Sequence, residues 1–169
     1  MSRLIKIAII AALCAALAGA GAVYSLDPYP VDQPIAFSHR LHVEDLGADC
    51  TDCHLYASTG IRATIPNVET CSVCHLEPLG ESAAELKLAE FVKADQAIPW
   101  AKVYWVPEDV FFSHRLHSAI GGIECQTCHG PVAARDEPLA RPLVPISMES
   151  CIDCHQEKEV PNDCIACHR

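Results

Sequence analysis

The pattern C-x-x-C-H occurs five times in this chain of 169 residues, at Cys50-Cys53-His54, Cys71-Cys74-His75, Cys125-Cys128-His129, Cys151-Cys154-His155 and Cys164-Cys167-His168. Two thiols three positions apart reach the two vinyl groups of one porphyrin, and the next residue then lies under the iron. The pattern is therefore the attachment site of a c-type haem, with the histidine as proximal ligand. One copy could belong to a redox dithiol or a zinc site; five are not an accident. Structural zinc takes four ligands, commonly two C-x-x-C pairs, which leaves a fifth pair unpartnered and gives no reason for a histidine after every second cysteine. A disulfide framework accounts for ten cysteines but not for the five histidines that follow them. The expected cofactors are five covalently bound haems c, each with its iron.

Composition agrees with a cofactor core. Half of the residues are hydrophobic, but many of these lie in the first 23 residues or are cysteines, and Phe, Tyr and Trp together number only 10. A chain short of large side chains needs another source of cohesion, and haems supply it. Pro and Gly interrupt the sequence often, and the spacers between motifs leave room only for short helices and loops. The expected fold is mostly irregular with short α-helices and the haems as the core, preceded by an N-terminal transmembrane or signal helix.

The phrase Phe37-Ser-His39-Arg-Leu-His42 recurs 75 residues later as Phe112-Ser-His114-Arg-Leu-His117, and Cys50-Cys53-His54 recurs at the same offset as Cys125-Cys128-His129. The chain thus reads as two tandem repeats. The register breaks after that: Cys71 maps to position 146, whereas the corresponding motif begins at Cys151. The fifth motif has no counterpart in the first half. The segments are 1–23, a membrane anchor or signal peptide; 24–34, a linker; 35–80, a dihaem repeat; 81–107, a helical linker; and 108–169, a trihaem repeat. Within the helical linker, Glu81 to Ala94 carries Leu86, Leu88, Ala89 and Phe91 among good helix formers and reads as an amphipathic helix. The stretch from Ile98 to Pro107 reads as linker with packed aromatics.

Arg3 and Lys6 precede an apolar run that ends in small residues at Val23, the pattern of an export signal. Leu4 to Val23 is also about the 20 residues that span a bilayer, so cleavage near Ala20 or Ala22 and retention as an anchor are both open. Either way the remainder is expected on the periplasmic side of the cytoplasmic membrane, anchored by one helix or soluble after cleavage. Cys14 lies inside the run and reads as a buried apolar side chain rather than a haem ligand. Without Arg3 and Lys6 the chain has 10 basic and 22 acidic residues, which disfavours nucleic acid as a partner.

Five six-coordinate irons need five distal ligands, and only four histidines stand outside the attachment motifs: His39, His42, His114 and His117. F-S-H-R-L-H followed by C-x-x-C-H resembles class III cytochromes c and the smaller c7 type, in which both histidines of the phrase are distal ligands. The resemblance implies that His39 serves the haem of His54, His42 that of His75, His114 that of His129 and His117 that of His155. The haem of His168 remains. In the c7 type the last distal ligand lies just before the penultimate motif, where this chain has Met148, its one methionine after the initiator. Met148 is the candidate fifth distal ligand, with a five-coordinate iron as the alternative.

Irons with two axial side chains have no open position for a substrate, so no catalytic residue is expected; the chain reads as an electron conductor. A pentahaem chain with one N-terminal apolar segment is similar to the cytochrome subunit of alternative complex III and of the related quinone reductase complex. That resemblance implies iron–sulfur, molybdopterin-oxidoreductase-like and polytopic quinone-binding partners. The alternatives are a free periplasmic shuttle of the c3/c7 kind with a soluble redox partner, or an electron-donating subunit of a terminal reductase. Because His/Met ligation gives a spectrum distinct from bis-His, Met148→Ala is expected to abolish sulfur-ligand features in the optical spectrum of the holoprotein; an unchanged spectrum overturns that assignment.

Overall fold

The computed structural model describes residues 3–24 and 30–168, with the side chains of residue 4 and residues 16–24 outside the described set. It divides into two units, Met1–Val31 and Asp32–Arg169. The first unit is helix α1, Arg3–Tyr24. Its apolar side chains Ile5, Ile7, Ile9, Ile10 and Leu13 are all exposed, as is Cys14. Among the described residues no helix is long and apolar enough to cross a membrane. The side chains around the expected cleavage sites, and residues 25–29 of the expected linker 24–34, lie outside the described residues.

The second unit is mostly irregular, with short helices α2 (Cys50–Cys53), α3 (Val68–Cys71), α4 (Ala83–Ala94), α5 (Cys125–His129), α6 (Met148–Glu157) and α7 (Cys164–Cys167), and no sheet among the described residues. Its one bridge pairs Val110 with His168. The hydrophobic side chains buried among the described residues are Ile35, Val68, Ile98 and Val103.

Three of these, Ile35, Val68 and Ile98, form a cluster onto which α4 packs. Helix α4 starts because the Ser82 hydroxyl accepts from Glu85 N at 3.1 Å, an N-cap that satisfies an otherwise free donor. It stops where Asp95 turns left-handed (φ 49°) and the N–H groups of Asp95 and Gln96 return to Val92 and Phe91. Ala84, Leu88, Phe91 and Val92 share the face turned to the cluster, at the spacing of one helical stripe. Leu86 is 50 % exposed, so the inward stripe runs through Val92 instead.

The stretch after α4 is stitched in rather than loose. Asn67 Oδ1 accepts from Ile98 N at 2.7 Å, and Gln33 binds both Ala101 N (3.0 Å) and Ala101 O (2.9 Å) while its amide also donates to Leu139 O. Ile98, Val103 and the half-buried Trp100 therefore belong to the core, whereas Trp105 faces outward.

The two F-S-H-R-L-H segments fold alike. Each ends in a single π-helical turn, Leu41–Asp45 and Leu116–Ile120, closed by Leu46 N to Leu41 O (3.1 Å) and Gly121 N to Leu116 O (2.9 Å). Each turn is followed by a glycine at positive φ, Gly47 (77°) and Gly122 (62°), a conformation that disfavours any side chain. Each segment also docks on the chain beyond the first haem motif of the opposite half. Arg40 N donates to Arg135 O and Arg115 N to Gly60 O, both at 3.0 Å. Arg40 adds charged contacts to Asp136 and Asp45 at 2.8 Å, and Ser118 Oγ donates to Ala57 O at 2.7 Å.

Ile98 is 3 % exposed at the centre of the only multi-residue apolar cluster among the described residues. Ile98→Ala is expected to destabilise the holoprotein by about 2–4 kcal/mol, and Leu86→Ala by less than about 0.5 kcal/mol. Thermal denaturation of the two variants checks this.

Candidate haem-binding sites

The cysteine pairs sit on helical turns, where residues three apart share one face. Cys50 and Cys53 bound α2, Cys125 and Cys128 lie in α5, Cys151 and Cys154 in α6, and Cys164 and Cys167 bound α7, while Cys71 closes α3 and Cys74 follows in a turn. Four of the five turns are started by side-chain caps: Asp49 and Asp52 form a reciprocal box around α2, Ser147 and Ser150 do the same for α6, Asn67 caps α3 and Asp163 caps α7, while α5 has none. Each pair thus presents both sulfurs to one side, with the following histidine held by the same turn.

Seven of the nine histidines are fixed through one ring nitrogen. Nδ1 of His54 lies 2.9 Å from Thr64 O, that of His155 2.6 Å from Pro161 O, and that of His114 3.2 Å from Ile61 O. His42 and His117 reach back one turn to Ser38 O and Ser113 O, both at 2.8 Å. A carbonyl only accepts, so each of these Nδ1 atoms carries the proton and Nε2 keeps its lone pair for a metal. Two histidines meet carboxylates: His75 Nδ1 lies 2.8 Å from Glu85 Oε1 and His168 Nδ1 3.3 Å from Asp109 Oδ2. The buried Nδ1 of His39 has no partner.

Three pairs of rings face each other. His42 and His75 have centroids 6.2 Å apart, His114 and His129 6.4 Å, and His117 and His155 6.1 Å. A metal–imidazole nitrogen bond is about 2 Å long, so two imidazoles on opposite sides of one iron have ring centroids roughly 6 Å apart. His39 has His54 among its close electrostatic neighbours. Phe37 and Phe112 wedge the distal pairs in place: each ring stacks on the second histidine (4.5 and 4.6 Å) and meets the first edge-on (4.9 and 4.8 Å). The donor set and its spacing fit haem c.

Electrostatics favour neutral imidazoles. Burial, with His54 and His42 nearby, lowers His39 to about 4. Burial also lowers His114, against the opposing pull of Ile61 O, and lowers His129, with His114 and His54 adding. Burial would raise Glu85, yet the Leu79 N–H and the His75 ring outweigh it and hold the carboxyl below its usual range.

Before attachment the cysteines are thiols, and burial raises Cys50, Cys53, Cys71, Cys128 and Cys151. The neighbouring groups that add to this are Cys125 beside Cys50, Cys74 near Cys53, Cys154 and Cys151 near Cys128, and Cys167 near Cys151. A cavity of about 260 Å³ also joins the first and third motifs, lined by Thr51, Ala57, Ser118, Ile123 and Cys125. Met148 is the first residue of α6 and is 60 % exposed.

Residues from the segment read as linker reach these sites. Glu85 holds His75, and the Tyr104 ring meets His129 edge-on at 4.6 Å. The Tyr104 hydroxyl donates to His129 O (3.3 Å) and accepts from Leu143 N (2.8 Å) and Val144 N (3.4 Å). The one available signal was the S-x-x-E spacing of Ser82 and Glu85, which marks a helix start but not a contact with His75. Nothing local marks Tyr104 or Asp109.

Cysteine pairs on one face of a turn, followed by a histidine whose tautomer is set for metal, define a c-type cytochrome with several haems. The comparisons agree. Residues 110–169 match the family described as cytochrome c7 and related cytochrome c. The chain is similar to the menaquinone reductase, multiheme cytochrome c subunit, of Nitratidesulfovibrio vulgaris strain Hildenborough, at 31% identity over 162 residues, 82% of this chain and 77% of that protein. The chain belongs to the multihaem cytochrome c family: it is a respiratory electron-transfer protein that binds haem c covalently and is not itself an enzyme.

Tyr104→Phe leaves the Leu143 N–H without its acceptor and removes the tie between the core segment and the His129 turn. A loss of about 1–3 kcal/mol is expected, with the haem content unchanged, as measured by denaturant unfolding and pyridine haemochrome assay.

Proposed function

We propose that the chain is a pentahaem cytochrome c that carries electrons on the outer side of the cytoplasmic membrane, as a subunit of a quinone-linked respiratory complex of the alternative complex III and menaquinone reductase kind. The observation that carries this is the set of three facing imidazole pairs at a separation of 6.1–6.4 Å, each made of one C-x-x-C-H histidine and one F-S-H-R-L-H histidine. Haem c supplies a one-electron couple, and the residues supply position, ligands and shielding from water.

In this reading His39 and His54, His42 and His75, His114 and His129, and His117 and His155 flank four irons, and Met148 and His168 flank the fifth. The repeats are residues 35–80, dihaem, and 108–169, trihaem, joined by 81–107. The matching π-turns, positive-φ glycines and Phe–His stacks at the 75-residue offset support a duplication. The neighbouring cysteines support a spatial order that differs from the order in sequence: second motif, first, third, fourth, fifth. Electrons then cross between halves where Cys50 meets Cys125.

Residues 1–23 serve as the membrane anchor, and the partners are polytopic quinone-binding subunits together with an iron–sulfur, molybdopterin-oxidoreductase-like protein. The name of the similar menaquinone reductase subunit supports a quinone-linked assembly. Purification of the native protein from membranes in mild detergent, with mass spectrometry of the chain and of whatever accompanies it, tests the reading. The expected result is a chain that retains its N-terminus, carries the mass of five haems, is unshifted by carbon monoxide and brings polytopic and iron–sulfur subunits with it. A chain alone in the soluble fraction, beginning near Gly21 or Val23, overturns the complex.

A further inference from the structure

The haem sites at His75 and at His155 are equivalent on their distal sides. His42 faces His75 at 6.2 Å and 44°, and His117 faces His155 at 6.1 Å and 41°. Both distal rings are anchored 2.8 Å from the carbonyl of the serine four residues earlier, and both stack on the phenylalanine five residues earlier. The difference is on the proximal side. His155 Nδ1 meets a neutral carbonyl, Pro161 O, at 2.6 Å, whereas His75 Nδ1 meets the carboxylate of Glu85 at 2.8 Å.

Glu85 is placed to stay there. It is the third residue of α4, where the positive end of the helix favours a carboxylate. The same oxygen accepts the Leu79 N–H at 2.9 Å, and the backbone N–H of Glu85 is held by Ser82 Oγ. The side chains are only 17 % (His75) and 14 % (Glu85) exposed, so water screens the charge little. An anionic acceptor draws the Nδ1 proton toward itself and makes Nε2 a stronger donor, which favours the oxidised, more positive metal. Asp109 on His168 is a weaker case: the contact is 3.3 Å and the pair is 62 % and 41 % exposed.

We infer that Glu85 is a tuning residue that holds the haem attached at Cys71 and Cys74 at a lower potential than its counterpart at Cys151 and Cys154, so that helix α4, which has no equivalent after the fourth motif, makes the two repeated sites electronically unequal. The inference rests on the reading of His75 as an axial ligand.

The test is an optical and EPR-monitored redox titration of the five-haem protein and of Glu85→Gln. Glutamine keeps an acceptor oxygen for both His75 and Leu79 but removes the charge. One low-spin transition is expected to move upward by about tenfold in its equilibrium constant, about 59 mV for one electron, with a changed EPR g-value for that haem alone. Asp109→Asn is expected to move its own transition by less. Unmoved potentials in a Glu85→Gln protein of full haem content overturn the inference. Wild-type protein alone decides the matter as well: NMR assignment of individual haems that puts the Cys71/Cys74 haem above the Cys151/Cys154 haem overturns it. Failure of the ligand reading looks different, since His75→Ala would then leave every low-spin signal in place.

Discussion

The hydrophobic effect has little to act on in residues 32–168: four hydrophobic side chains are buried among the described residues, three of them in one cluster under α4. Ordering a backbone costs about 1–2 kcal/mol per residue, far beyond what so small a core returns at about 1.5–3 kcal/mol per side chain. Covalently bound haem supplies the cohesion instead, and the rest of the chain is arranged around the cysteine and histidine turns that would hold it. This is why four of the five helices that carry cysteines are single turns, α6 being the exception, and why α4, the longest helix of this unit, is also the one that packs on ordinary apolar neighbours.

A ligand is useful only if its ring is already aimed. Backbone carbonyls do most of the aiming, at Ser38, Ser113, Thr64, Ile61 and Pro161, and irregular chain has unpaired carbonyls to offer where regular helix does not. A π-turn, closing at i+5, lies just after each of the anchoring serines Ser38 and Ser113, a local departure from the α-helix that recurs at functional sites. The two halves also depend on each other. The Arg40 and Arg115 N–H groups are satisfied by Arg135 O and Gly60 O, each belonging to the opposite half, so neither F-S-H-R-L-H segment is complete within its own half.

The cysteine and histidine pattern was legible in the sequence because the chemistry that demands it is local: two thiols and a ligand on one turn leave no freedom in spacing. The likeness of the two F-S-H-R-L-H segments was legible for the same reason, as an unbroken phrase at a fixed offset. Helix α4 was legible from its periodicity to within two residues at its start, although Leu86 was read inward where Val92 is; an interval of four apolar candidates in a run of six does not fix the phase of a stripe. What could not be read was every contact between distant segments. Glu85 on His75 spans 10 residues, Tyr104 on Leu143 spans 39 and Asp109 on His168 spans 59. None leaves a trace in local spacing, because each depends on where a haem-organised chain returns.

Two sites of equal potential give electrons no preferred direction; a direction needs some order among the potentials. In this chain the ligands cannot provide that order between His75 and His155, because both have the same partners on the distal side. The surroundings must, and the segment between the halves is where they diverge. Helix α4 is free to differ because it carries no cysteine or histidine, and yet its first turn reaches His75 of the second motif. The piece of sequence that reads as mere connection is therefore the piece best able to make one half of the molecule unlike the other.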